Sequence, residues 1–337
     1  MAVHNEEAVL KEKLESIFDT SYPANKFELI IGSDSSTDTT NSLLDVFSKQ
    51  YHFRYILFDG RMGKPNVMNT LSDLAKGEVL ILTDANVIFE KPTLFELARH
   101  FNDPAVGLVD SNMVNTGRQK QGISFQESAY ISIEVQTKYC ESRVFGAMMG
   151  PFGGCFAMRR NLYRKVPSTL LVDDFFLNMK VVEQGYKAIN ALEAKVYEDV
   201  SNIFREEFRR KVRISTGNFQ NLQLFGHLLL NPFRPVAFCF LSHKVLRWLT
   251  PFFLLAAFVL NLWLAFSGPF YMYLLAAQSL LYIVPVVEYL LRKIEVHIVP
   301  LRYITHFVTM NIALFMGFVN YLKGVESNVW KPTQRNQ

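Results

Sequence analysis

The sequence predicts an α/β fold, a Rossmann-like domain with a mainly parallel sheet, followed by an amphipathic interface segment and three transmembrane helices. Three observations carry this prediction. Strand-like and helix-like segments alternate through the first 204 residues, as expected for a parallel sheet covered by helices. No charged residue occurs from Trp248 to Val287, room for two spans of about 20 residues each, with Ser267-Gly268-Pro269 as the break between them. A third uncharged stretch runs from Tyr303 to Leu322. The expected boundaries are 1–204 for the α/β domain, 205–241 for the amphipathic segment, 242–322 for the membrane region and 323–337 for the tail.

The elements follow in order. Ala2-Val3-His4-Asn5-Glu6-Glu7 reads as the end of a strand whose first half is missing, which suggests a truncated or late-starting chain. Phe27 to Gly32 reads as a buried strand, Thr39 to Tyr51 as a helix with Leu43, Leu44 and Phe47 on one face, and Arg54 to Phe58 as a strand. Pro65 to Lys76 reads as a helix and Glu78 to Thr83 as a strand. Each strand ends in a polar cluster: Ser33 to Asp38, Gly60 to Lys64, and Asp84-Ala85-Asn86. Ligands of open α/β sheets gather at the carboxyl ends of strands. Several clusters on one edge therefore point to a site, although each alone reads equally as a loop. Asp84 and Asn86 stand two apart and project to one side of an extended chain; a turn explains them as well when they are taken alone.

Further along, Gly150-Pro151-Phe152-Gly153-Gly154-Cys155 is a flexible stretch whose Gly153 and Gly154 let backbone approach a ligand. Leu171-Val172-Asp173-Asp174-Phe175-Phe176 places paired carboxylates in an apolar run. One of them suits a helix N-cap; two adjacent ones suit a site. Phe204 to Asn221 is amphipathic, with Arg209, Arg210, Lys211 and Arg213 beside Phe208, Val212 and Ile214. This pattern fits a membrane surface and leaves room for a phosphate clamp by one or two arginines.

The net charge of +4 is modest, and no basic-aromatic array argues for nucleic acid. Cys140, Cys155 and Cys239 have no metal or redox spacing, which suits a reducing compartment. Met1 leads directly into AVHNEE without a signal peptide. Lys244 and Arg247 before the first span place residues 1–240 in the cytoplasm and the C-terminus outside, a reading that the tail's Lys323, Lys331 and Arg335 weaken.

The segments AVHNEE, SDSSTDTT, GKPNVMN, TDAN, GPFGGCFAMRR, VDDF and RKVRI, from residue 1 to about 214, stand in one order. In that order the chain resembles the processive-type, membrane-bound family 2 glycosyltransferases, such as cellulose and hyaluronan synthases and related bacterial polysaccharide enzymes. The resemblance implies a GT-A fold, a nucleotide-diphosphate sugar donor, usually UDP-linked, and inversion at the anomeric carbon. By position, it implies Glu6 and Asp34 near the uridine and Lys64 near the nucleotide. Asp84 and Asn86 match the metal-binding DxD motif, for Mg2+ or Mn2+. Asp174, with Asp173 beside it, matches the end of TED, the catalytic base; Arg210 and Arg213 match (Q/R)xxRW, which holds the diphosphate. Asn86 replaces an acid, and Ile214 replaces the Trp associated with the acceptor polymer, a departure that weighs against processive polymerisation more than against catalysis.

The expected function is inverting transfer to a polysaccharide or glycolipid acceptor by an integral protein of the bacterial inner membrane whose catalytic domain is cytoplasmic. The expected partners are the nucleotide-diphosphate sugar, the polysaccharide or lipid acceptor and membrane lipids, with no nucleic acid. The alternatives are a single-transfer glycolipid synthase and a catalytically inactive nucleotide-binding scaffold.

Overall fold

The computed structural model describes residues 1–116, 124–199, 204–231, 233–296 and 298–329. The chain opens with β1 (Ala2–Val3), α1 (Glu7–Phe18), β2 (Ile30–Asp34), α2 (Thr40–Tyr51), β3 (Arg54–Phe58) and α3 (Lys64–Leu74). β1, β2 and β3 pair in parallel, with Ile30–Asp34 opposite Arg54–Phe58. The strand expected at Phe27 to Gly32 is shifted toward its C-terminal end, because its ladder runs only where β3 supplies partners. Phe27 and Leu29 pack against the core as side chains instead. Asp34 is consequently the buried last residue of β2 rather than part of the loop after it.

Next come β4 (Val79–Thr83), β5 (Val87–Phe89), α4 (Thr93–Ala98), β6 (Val106–Thr116), α5 (Ser124–Phe145), β7 (Cys155–Arg159), α6 (Asp173–Glu183) and β8 (Lys187–Asp199). These strands form a sheet in the order β4-β7-β6-β8-β5. The β6–β8 pair is parallel and the others are antiparallel. The aliphatic run of β4 pairs with Cys155–Arg159, so that Thr83 lies opposite Cys155. This register forces the segment after β4 and the glycine-rich segment before β7 to be neighbours. The Asp84 backbone N–H donates to the Gly154 carbonyl at 2.9 Å.

The remainder is helical: α7 (Phe204–Phe225), α8 (Pro235–Cys239), a π-helical stretch Phe240–Val245, α9 (Leu246–Trp248), α10 (Thr250–Leu264), α11 (Pro269–Lys293) and α12 (Val299–Lys323). Three of these helices are long and apolar enough to cross a membrane: Thr250–Ser267, Pro269–Lys293 and Val299–Lys323. α7 lies between the α/β domain and α12. Its Phe225 ring sits 5.8 Å from Phe176 of α6, and its Phe219 ring 5.1 Å from Phe318 of α12.

α12 is held closely along α7. Ser215 Oγ donates to the Leu314 carbonyl at 2.9 Å, and a Cβ on Gly317 would collide with Ser215. Beyond α12, the Asn328 amide donates to the Ser168 carbonyl of the α/β domain. Asn328, just after the third apolar helix, therefore lies against the α/β domain. Lys331 and Arg335, which entered the expectation for the C-terminus, lie outside the described residues.

Candidate functional site

A cavity of about 870 Å³ opens between the strand ends, the N-terminus of α6, α7 and α12. Glu6, Lys64, Asp84, Asn86, Gly153, Asp173, Asp174, Arg210 and Arg213 all line it. Asp34 and Gly154 stand behind the wall and support it.

Asp34 is fully buried. Its carboxylate accepts the backbone N–H groups of Met62 at 2.6 Å and Gly63 at 3.1 Å and the Arg61 Nε at 3.1 Å. A buried carboxylate needs such donors, and these three fix the loop that leads into Lys64. Gly154 is a packing glycine: a Cβ there would meet Met113 and Val87. Its carbonyl accepts from Asp84 N and from the Thr83 hydroxyl.

Beneath Asp84-Ala85-Asn86 lies Lys13, completely buried on α1. Its ammonium donates to Thr83 Oγ1 at 2.8 Å and to the Val87 carbonyl, and it sits 3.7 Å from the centre of the Phe89 ring. One cation thus ties both ends of the Asp84–Asn86 turn, while burial pulls its pKa down to about 7. Above the turn, Lys64 Nζ pairs with Asp84 Oδ1 at 2.7 Å, and the Asn86 amide donates to Glu198 Oε1 at 2.9 Å. Burial works against the charge of Lys64, but Asp84, Asp173 and Asp174 outweigh it and raise its pKa above the ordinary lysine value.

Asp173 and Asp174 form the first turn of α6, where the helix dipole favours negative charge. Asp174 Oδ1 accepts the Phe175 N–H at 2.6 Å. Its Oδ2 lies so close to Gly153, where φ is +83°, that a Cβ on Gly153 would collide with it. Only glycine combines that backbone conformation with that approach. Burial, and then the neighbouring Asp173 charge, push the Asp174 carboxyl up to about 7.

Arg210 and Arg213 stand one turn apart on α7. Burial, and then Arg210, lower the pKa of Arg213 below the usual arginine range. Glu207, 1 % exposed, sits 3.7 Å from Arg210 and 3.4 Å from Lys211. The cavity thus sets carboxylates at the strand and α6 ends against cations from α3 and α7, a charge pattern suited to an anionic ligand with a bound cation.

Sequence reading missed several lining or supporting residues. Lys13 carries no signal, being one lysine in a helix rich in charge. Glu198 ends β8 next to Asp199 and resembles the other strand-end acids. Tyr303, Phe307 and Met310 line the cavity from α12, together with Lys244, Arg247 and Trp248 before α10. Their apolar context makes them look like membrane residues only.

Residues 1–166 match the sequence profile of the family described as Glycosyl transferase family 2. Over 113 residues the chain is 27% identical to a poly-beta-1,6-N-acetyl-D-glucosamine synthase of Staphylococcus epidermidis, covering 33% of this chain and 27% of that one. Over 139 residues it is 27% identical to a beta-monoglucosyldiacylglycerol synthase of Synechocystis sp., covering 39% of this chain and 29% of that one. The chain spans about half or less of the length of the curated relatives it matches first. Among solved structures, it superposes on a mannosyltransferase from Pyrobaculum calidifontis in complex with GDP-Man and Mn2+ with a TM-score of 0.69 and 23% identity, covering 95% of this chain and 85% of that one. At that identity the likeness is one of fold, the GT-A fold. Residues 1–166 are thus a glycosyl transferase family 2 region, and three helices long and apolar enough to cross a membrane follow them.

Proposed function

We propose that the protein transfers a sugar, with inversion, from a UDP-linked or similar nucleotide-diphosphate sugar to a polysaccharide or glycolipid acceptor at the cytoplasmic face of the membrane. The observation that supports this reading most strongly is the convergence of Asp84, Asn86, Asp173, Asp174, Lys64, Arg210 and Arg213 on one cavity. Inverting transfer needs one carboxylate to take the acceptor hydroxyl's proton as the new bond forms, and a group titrating near 7 is suited to that task. Asp174 has that property. The leaving nucleotide diphosphate gains negative charge, and Arg210, Arg213 and Lys64 are placed to stabilise it. Glu6 and Asp34 belong to the nucleotide end, Asp34 acting through the loop whose N–H groups it holds. Gly153 keeps backbone close to the reacting atoms, and Gly154 packs behind it.

Asp84 and Asn86 offer a carboxylate and an amide oxygen, a donor set that fits Mg2+ or Mn2+ when diphosphate oxygens and water complete the shell. Among the described residues no cluster of three His, Cys, Asp or Glu side chains could hold a metal without such help. The ion would supply charge stabilisation for the departing diphosphate. Turnover should be lost in excess EDTA and restored by Mg2+ or Mn2+; full turnover in EDTA would leave the neutralisation to Lys64 and the arginines.

A second reading, single transfer to a membrane lipid, is favoured by the α12 wall, where Tyr303, Phe307 and Met310 line the same cavity. Product length by chromatography separates it from polymer extension. The test of the whole proposal is UDP release from a panel of UDP-sugars by the full-length protein in lipid. Release that depends on one sugar and on acceptor supports transfer, whereas nucleotide binding without release identifies a scaffold.

A further inference from the structure

α5 carries a buried charged stripe that the reading above does not use. Glu134, Lys138 and Glu141 stand at i, i+4 and i+7 and thus share one face, and none is more than 7% exposed. Buried charges are destabilising unless they are paired, and all three are paired.

Lys138 Nζ binds Asp110 Oδ2 at 2.6 Å and lies 3.3 Å from the centre of the Phe152 ring. Glu134 accepts from Arg247 at 2.8 Å, from His243 Nε2 at 3.0 Å and from Lys244. Burial alone would raise the pKa of Glu134, but Lys244, the His243 hydrogen bond and Arg247 hold it well below the usual carboxylate range. Glu141 turns one oxygen to His243 Nδ1 at 2.7 Å and the other to the Met149 N–H at 3.0 Å. His243 therefore has a carboxylate against each ring nitrogen.

The two ends of this network differ in kind. His243, Lys244 and Arg247 belong to the helical turns just before the first apolar helix, Thr250–Ser267. The π-helical turn at 240–245 is a local departure that often marks a functional position. Met149 and Phe152 belong to the segment that ends at Gly153, against Asp174 Oδ2. The 149–153 segment is irregular and has no ladder of its own to fix it, so Glu141 and Lys138 supply the anchors.

We propose that Glu141 and His243 are positioning residues that transmit the seating of the membrane-proximal helix, through α5, to the 149–153 segment, and so set Gly153 against Asp174. The inference rests on the reading of Asp174 as the base. It makes the alignment of the catalytic carboxylate depend on how the 240–248 helix is docked. Neither residue touches donor or acceptor in this scheme; both act through the Met149 N–H and the loop that follows it.

The test uses the full-length protein in detergent or lipid, with Mn2+ and the UDP-sugar that supports UDP release. Glu141→Leu removes both contacts and should lower kcat about tenfold or more, as small misplacements of reacting groups do. KM for the donor and the affinity for UDP with Mn2+ should stay within about twofold, the signature of an interaction used in the chemical step. Glu141→Gln keeps an oxygen for Met149 and should recover most of kcat. His243→Gln, which bridges one carboxylate but not both, should fall between them. Cys140→Ser, on the exposed side of the same helix, should match wild type.

Unchanged kcat in both Glu141→Leu and His243→Gln overturns the proposal. So does a parallel loss of UDP affinity and kcat, which indicates general unfolding of the site. If Glu141→Leu fails to fold, the two glutamine variants decide. Asp174→Asn, measured alongside, separates the layers. If it stays active, the base assignment fails together with the endpoint of the relay. If it is inactive while both position-141 variants are fully active, only the relay fails.

Discussion

α5 and α7 are both 22-residue helices rich in charge, yet they use that charge in opposite ways. α7 presents Arg210 and Arg213 to the cavity and its phenylalanines to α6 and α12. α5 turns Glu134, Lys138 and Glu141 inward to fixed partners, Glu134 at the edge of the same cavity beside Lys244 and Arg247, and exposes Ile133 and Val144. Exposed charge at a cavity wall is available to a ligand, whereas charge buried in pairs holds other groups in place. Mutations in α7 should therefore fail in ligand binding and charge stabilisation, Glu134 variants in stability, and Glu141 variants in kcat through the 149–153 segment.

The largest effect is expected on α5. Glu134→Ala leaves Lys244 and part of Arg247 buried without their carboxylate, and breaking a buried pair typically costs about 3–5 kcal/mol. Chemical or thermal unfolding should show that loss. A change below about 1 kcal/mol would put α5 in the same class as a surface helix.

On α7, if Arg213 stabilises the departing diphosphate as proposed, Arg213→Ala should lower kcat/KM by about 10²–10³-fold, the usual effect of removing one donor aimed at developing charge, with little change in unfolding midpoint. A variant that loses stability and keeps kcat/KM would reverse the comparison.

The smallest and most diagnostic effect is in pH dependence. As the proposed base, Asp174 must be ionised to accept a proton, and burial with Asp173 pushes its pKa up to about 7. Hence kcat/KM should fall as pH drops below that value, by about tenfold per unit for one essential base. Lys64 favours the ionised form of Asp174, so Lys64→Met should move the limb to higher pH. Glu134→Gln on α5 should leave it in place. A limb that ignores Lys64 would detach the proton acceptor from this cluster.

The same contrast explains what was legible in the sequence. α7 was visible because its charges and apolar residues alternate at helical spacing, and the strand-end acids were visible because polar clusters interrupt aliphatic runs. Asp84, Asn86, Asp173 and Asp174 were found that way, and they meet because β4 pairs with β7 and α6 starts beside their junction. α5 was not read at all: its buried face is charged, so it lacks the apolar stripe that marks a core helix. Lys13 carries no signal because α1 holds several charged residues and nothing in the sequence sets this one apart. Asp34 was read as a loop residue because its role depends on where β3 stops. The course of α12 depends on close packing of Gly317 on Ser215, which hydropathy does not register.

In the proposed mechanism Asp174 takes the acceptor's proton in a cavity that binds the nucleotide independently of it. The most direct measurement compares full-length wild type and Asp174→Asn in lipid, for UDP release from the preferred UDP-sugar and for binding of UDP with Mn2+. Asp174→Asn should lose release by about 10²–10⁴-fold, the usual effect of removing a general base, with UDP still bound. Release by Asp174→Asn equal to that of wild type would contradict it and move the base to Asp173.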